Sequence, residues 1–142
     1  MKIDCFSQSQ IQTQIPSRDI ILISITEPTY DFKAPDGYRD VLYLKFHDIF
    51  AETKDSDREH IAFNEKHAKE LLDFIAKYPY IGKIYIHCNV GIFRSAGIAL
   101  ALHEIFTGES GSKLPQYRLH NRHVAKVILD TNAKLRILRE RR

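Results

Sequence analysis

Cysteine is scarce in this chain: of 142 residues only Cys5 and Cys88 carry a thiol, 83 positions apart. Such a pair makes neither a disulfide framework nor a zinc-binding pattern, and it fits a reducing compartment. Long apolar runs are missing too. The longest, around residues 96–102, falls short of a membrane span, and the opening "MKIDCFSQSQ" lacks the apolar core of a signal peptide. A cytoplasmic location is therefore expected. No internal repeat, low-complexity tract or Pro/Ser-rich linker interrupts the sequence. Residues 1–142 are expected to form a single domain large enough to bury a core.

Charge is nearly balanced, at a net +3, but unevenly placed. From Gln116 to the C-terminal Arg142 there are eight Lys/Arg against two Asp/Glu, a local +6 that leaves the first 115 residues at −3. Such an end either attracts an acidic or phosphorylated partner or is the solvated face of a terminal helix, the plainer reading. No membrane or nucleic-acid partner is expected.

What the chain does have is an alternation of strand-like and helix-like segments. "IILISITEP" (20–28) is apolar and β-branched at nearly every position, the pattern of a strand buried on both faces. "VLYLKF" (41–46) and "KIYIHC" (83–88) read as further strands, and "KIDCF" as one near the N-terminus. Between them "PDG" (35–37) marks a turn, and "HDIFAETKDSDREHIAF" is polar and loop-like. Residues 64–77 place Ala68, Leu71, Leu72 and Ile75 at helical spacing behind a plausible N-cap, Asn64, and Tyr78-Pro79 stops that helix. "RSAGIALALHEIF" (94–106) predicts a helix ended by Gly108, and two more helices are expected around 118–130 and 131–141. The alternation predicts an α/β fold: a central, mostly parallel sheet of about four to five strands with helices on both faces.

Chemistry concentrates in "HCNVGIFRS" (87–95). A buried strand delivers the chain to the carboxyl edge of the sheet, where ligands bind in such folds. A short turn then leads into a helix whose N-terminus offers free N–H groups and a partial positive charge. Gly91 supplies the backbone freedom that an amide cradle usually needs, and Arg94 can grip two oxygens of a phosphate at once. A thiol at such a helix start, beside an arginine, is held toward the thiolate. Ser95 can donate a hydrogen bond to that thiolate and steady it as a leaving group. His87 reads as a residue that orders the loop rather than as an acid. The opposing reading, a small buried cysteine with accidental neighbours, requires His, Gly, Arg and Ser all to fall correctly around one of two cysteines.

The spacing His-Cys-x5-Arg-Ser, with Gly at the third x, resembles the signature of the cysteine-dependent protein tyrosine phosphatase superfamily. The order of strand, acidic loop, helix, strand and "HCNVG" is similar to the compact dual-specificity type. More narrowly, "ISITEP" (23–28) and "FHDIF" (46–50) resemble small bacterial and phage phosphatase-like proteins, in which an "ISIT[DE]P" strand opens the domain. The resemblance runs from about Ile20 to Phe106 and weakly into "NRHVAKVIL" (121–129). It implies phosphomonoester hydrolysis through a cysteinyl-phosphate without a metal or other cofactor, with a phosphorylated protein as the foremost substrate class. Cys88 would be the nucleophile, Arg94 the clamp, and Asn89, Val90, Gly91, Ile92 and Phe93 the phosphate loop.

The family's mechanism also implies an aspartate upstream that protonates the departing oxygen. Asp48 directly follows a strand, which can aim it, and matches the Asp-Ile of the small subgroup. Asp55 and Asp57 lie 33 and 31 residues before Cys88, nearer the interval usual in dual-specificity enzymes, but "KDSDRE" also reads as ordinary solvated charge.

Two departures bear on substrate. The chain has no tryptophan, so the Trp-Pro-Asp loop of tyrosine-specific enzymes is absent. Phe93 stands where dual-specificity relatives commonly carry a small residue. These features leave open a second reading, a catalytically weak module that binds phosphorylated protein; a sulfur-transfer or arsenate-reducing domain is disfavoured by Gly91 and the Arg94-Ser95 ending. Cys5 could trap an oxidised Cys88 as a disulfide, but a packing role is the plainer reading. His120 and His123 lack the companions of a metal site. Tyr78, Tyr80 and Tyr85 are expected to pack around the sheet, and Tyr30 and Tyr38 to sit in a loop that could border the pocket.

Overall fold

The structure, a computed structural model, describes residues 1–49, 60–111 and 114–140. Four strands, β1 (Lys2–Ser7), β2 (Ile20–Thr26), β3 (Asp40–Lys45) and β4 (Lys83–Cys88), form a wholly parallel sheet in the order β1-β4-β2-β3. All seven residues of β2 are buried, as its mostly apolar, β-branched sequence predicts for a strand covered on both faces. The order puts β4 between β1 and β2, so the segment ending in Cys88 emerges at the middle of the carboxyl edge.

The two faces are covered unequally. Ile21, Ile23, Ile25, Leu44, Ile84 and Ile86 pack under three long helices, α2 (Glu65–Ala76), α3 (Arg94–Thr107) and α4 (Arg122–Glu140). The opposite face carries Ile20, Leu22 and Tyr85, closed by Ile11 of the single turn α1 (Gln8–Ile11) and by Ala34 and Tyr38 of the long β2–β3 connection. Period-two alternation along β2 and β4 feeds both clusters. Among the described residues, no helix is long and apolar enough to cross a membrane.

Local signals hold at the helix ends. Asn64 caps α2, its Oδ1 accepting from the amides of Lys66 at 2.9 Å and His67 at 3.3 Å. Gly108 ends α3 in the left-handed region with φ 75°. Two expectations are corrected. One helix, not two, runs from Arg122 to Glu140: Val124, Ile128 and Thr131 lie on one buried face that carries through the polar stretch at 130–132. Tyr80 does not pack on the sheet but is 95% exposed beyond Pro79, whereas Tyr85 is buried and Tyr78 donates its hydroxyl to Asp40 at 2.6 Å.

Helices α3 and α4 meet where a glycine permits it. A Cβ on Gly97 would lie 2.7 Å from the backbone oxygen of Asn121 and 3.1 Å from Cβ of Val124. Substitution Gly97→Ala should separate the helix starts and destabilise the protein by about 1–3 kcal/mol. Urea unfolding with an unchanged m-value is the measurement that checks this.

Candidate active site

Cys88 ends β4 almost fully buried, 2% exposed, on the helix-bearing face of the sheet. Its Sγ accepts the amide N–H of Gly91 at 3.1 Å and lies 3.3 Å from Oγ of Ser95. Ser95, in the first turn of α3, is itself fully buried. Both contacts are with the loop and helix start that the sequence assigned to the site.

The loop between β4 and α3 is pressed against the end of β1. Gly91 has φ 83°, and a Cβ there would lie 2.5 Å from the carbonyl carbon of Phe6 and the amide nitrogen of Ser7. No other residue type fits this combination of left-handed backbone and close approach. The carbonyl of Asn89 accepts the Gln8 amide at 3.2 Å, tying the loop to α1. Among the described residues, the amides of Asn89, Val90, Ile92 and Phe93 meet no backbone acceptor outside the regular elements. Val90 and Ile92 are exposed and Phe93 is half-buried, so the apolar side chains of the loop form its outer rim.

Arg94 opens α3 and is only 4% exposed. A buried guanidinium requires partners, and it has two from separate strand ends. Its Nη1 donates to the Phe46 carbonyl at 2.9 Å, just past β3, and lies 3.2 Å from Oε1 of Glu27, just past β2. The other Glu27 oxygen, Oε2, lies 3.5 Å from Nε2 of His47, whose Nδ1 accepts the Ile61 amide at 2.9 Å. Because Nδ1 accepts, the neutral ring carries its proton on Nε2, facing Glu27. A cleft of about 220 Å³ opens beside Arg94, lined by Gln8, Ile25, Thr26, Glu27, Tyr30 and Asn89. Tyr30 thus borders it, while Tyr38 is buried in the second core.

Asp48 lies on the segment after β3, two residues beyond the carbonyl that Arg94 binds. Its Oδ1 accepts from Nδ2 of Asn121 at 2.9 Å, and the Asn121 backbone amide donates to the Phe93 carbonyl at 2.9 Å. Asp48 is therefore fastened to the end of the Cys88–Arg94 loop through one residue. The competing candidates, Asp55 and Asp57, lie outside the described residues. Sequence reasoning did not single out Glu27 or Asn121 as site residues, although both stand in the stretches "ISITEP" and "NRHVAKVIL" that carry the family resemblance.

His87 faces away from Cys88. Its Nε2 lies 2.6 Å from Oγ of Ser24 and its ring packs on Phe32, with centroids 4.7 Å apart. Burial first, and the charge of Arg94 second, depress its pKa to about 4, so the ring is neutral at neutral pH. Cys5 occupies the face of β1 turned toward the site. Its strand partner is Ile86, and Cys88 pairs with Ser7, so the two cysteines are diagonal neighbours. Burial pushes the Cys5 thiol up to about 12; the Ser95 hydroxyl opposes the shift and a charged Cys88 would add to it. Cys5 is thus a neutral packing residue. His120 and His123 bond the carbonyls of Tyr117 and Phe63, each at 2.7 Å. Among the described residues, no group of three or more His, Cys, Asp or Glu side chains is placed to hold a metal ion.

No protein-family model matches the chain, and no curated protein matches it in sequence. Solved structures do match in fold. The human tyrosine phosphatase-like serine/threonine/tyrosine-interacting protein superposes with a TM-score of 0.56 at 18% identity, over 82% of this chain and 78% of that one. Tk-PTP in its active form superposes with a TM-score of 0.51 at 18% identity, over 97% of this chain and 88% of that one. A mutant form of Tk-PTP gives the same score and identity over 99% and 91%. The α/β fold of this chain, a parallel sheet with flanking helices, is the fold of these tyrosine phosphatase-like proteins.

The neutral, buried His87 makes stability depend on pH. The unfolded chain binds this proton below about pH 6.5 and the folded chain only below about 4. Between those values the unfolded state holds more protons, so stability falls as pH falls. From pH 7 to pH 5 this residue should cost about 2 kcal/mol, and His87→Gln should show that much less acid destabilisation in urea titrations at the two pH values.

Proposed function

We propose that this protein is a cysteine-dependent phosphomonoesterase, acting on phosphorylated protein as a tyrosine or dual-specificity phosphatase. The single observation that carries the reading is the convergence on one loop of Cys88 Sγ, the Gly91 amide 3.1 Å from it and the buried Arg94 at the start of α3. Amides and guanidinium together suit a dianionic phosphoryl group, and preorganised donors stabilise the charge that develops during transfer. The fold neighbours, one of them described as an active form of Tk-PTP, support it.

In this mechanism Arg94 and the amides of residues 89–94 hold the phosphate while Cys88 attacks phosphorus as the thiolate. The phosphorus–oxygen bond to the substrate breaks, and Asp48 gives its proton to the departing oxygen. Water then attacks the cysteinyl-phosphate, passing a proton to the Asp48 carboxylate, and Cys88 leaves with help from the Ser95 hydroxyl. Glu27 holds the guanidinium from one edge, which keeps its plane fixed for the incoming anion.

A second reading, a module that binds phosphorylated protein without hydrolysing it, is favoured by one observation. Glu27 sets a carboxylate 3.2 Å from the group that must take the phosphate, which weakens capture of a transition-state charge. One fold neighbour is described as a tyrosine phosphatase-like interacting protein. Phosphopeptide binding by the wild type with no release of phosphate would select this reading.

Hydrolysis of 4-nitrophenyl phosphate should proceed in EDTA and fall about 10³-fold or more in Cys88→Ser, since a serine at this position has no base to activate it. Full turnover by that variant would sink the cysteinyl mechanism. For the acid, Asp48→Asn should flatten the alkaline limb of kcat and lower kcat on phenyl phosphate about 10²-fold. An unchanged profile would move the role to Asp55 or Asp57.

A further inference from the structure

Asn121 bonds at once to the segment after β3, to the loop that ends in Arg94 and to the first turn of α4. It is fully buried. One Nδ2 proton goes to Oδ1 of Asp48 at 2.9 Å and the other to the carbonyl of Ile49 at 3.0 Å. Its Oδ1 accepts the Val124 amide at 3.2 Å and so caps α4, which starts at Arg122. Its backbone N–H donates to the Phe93 carbonyl at 2.9 Å. The orientation of the amide is fixed by its partners: the Val124 N–H needs an acceptor and the Ile49 carbonyl needs a donor.

We infer that Asn121 is a positioning residue for proton transfer, a role that rests on the reading of Asp48 as the acid. A carboxylic acid donates from one oxygen and accepts at the other. With Oδ1 taken up as an acceptor from Asn121, the transferable proton of Asp48 is confined to Oδ2. The second Nδ2 bond, to Ile49, stops the segment after β3 from swinging about that first contact. The backbone bond to Phe93 registers the same residue to the end of the Cys88–Arg94 loop. One buried side chain thereby sets both which oxygen of Asp48 carries the proton and where that oxygen stands relative to the phosphate cradle. Alignment on this scale matters, because a displacement of about 1 Å in a catalytic group can cost about 10²-fold in rate.

The test is Asn121→Ser, which keeps a hydroxyl able to cap α4 but removes both donors to residues 48 and 49. A group that positions the acid matters most when the leaving oxygen is basic. The variant should lose about tenfold more kcat on phenyl phosphate than on 4-nitrophenyl phosphate. In the Asp48→Asn background the same substitution should add no further discrimination between the two substrates. Equal losses on both, or a further tenfold discrimination added by the substitution in the Asp48→Asn background, would overturn the role, since a merely structural residue lowers both activities alike. If Asn121→Ser does not fold, Asn121→Thr, which also keeps a capping hydroxyl and lacks the two amide donors, should show the same split. Discrimination in Asp48→Asn with none in either Asn121 variant overturns the positioning role alone. A lack of discrimination in Asp48→Asn itself overturns the acid assignment of Asp48 and this proposal with it.

Discussion

The buried guanidinium of Arg94 is the constraint around which the carboxyl edge of the sheet is arranged. A cation at 4% exposure destabilises a fold unless charge and hydrogen-bond acceptors surround it. Here they come from the ends of two other strands, Glu27 after β2 and the Phe46 carbonyl after β3. Satisfying one side chain therefore fixes how three parallel strands finish relative to one another. Whatever the protein does at this edge, it does with a cation whose position is set before any anion arrives.

The Cys88 loop is held from its other side by shape rather than charge. Gly91 lies so close to the backbone at Phe6 and Ser7 that even a methyl group is excluded, and Asn89 is bonded to Gln8. The strand order places β4 between β1 and β2, so one neighbour supplies close packing and the other supplies the carboxylate. The asymmetry of the layers follows from the same plan. Three long helices cover the face toward which Cys88 and Ser95 point, while His87, one residue earlier and on the opposite face, is sealed under Phe32 and kept neutral.

Asn121 and Glu27 show how a site acquires residues that no motif names. Neither is reactive, and each acts by restricting another group: Glu27 restricts Arg94, and Asn121 restricts Asp48. Each lies far from Cys88 in sequence, and each was visible only as a letter inside a family-like phrase. An isolated glutamate after a strand or an asparagine before a helix has ordinary local explanations, an end-of-strand charge and an N-cap. The capping explanation is even correct for Asn121, whose Oδ1 does cap α4. Its two Nδ2 bonds reach residues more than seventy positions away.

By itself the sequence determined everything governed by short-range periodicity and backbone freedom. It specified the buried β2, the Asn64 cap, the Gly108 stop, the parallel α/β class, and the requirement for glycine at position 91. It also placed Cys88, Arg94 and Ser95 together, since a strand, a short turn and a helix start are contiguous in the chain. Tertiary structure decided the rest. Continuous burial of Val124, Ile128 and Thr131 carried one helix through a stretch of polar residues that locally reads as a break. The partners of Arg94 and of Asp48 depended on which strand ends and helix starts converge. Such contacts follow from packing across the whole sheet, where the need to satisfy a buried charge or amide outweighs any preference encoded within a few residues.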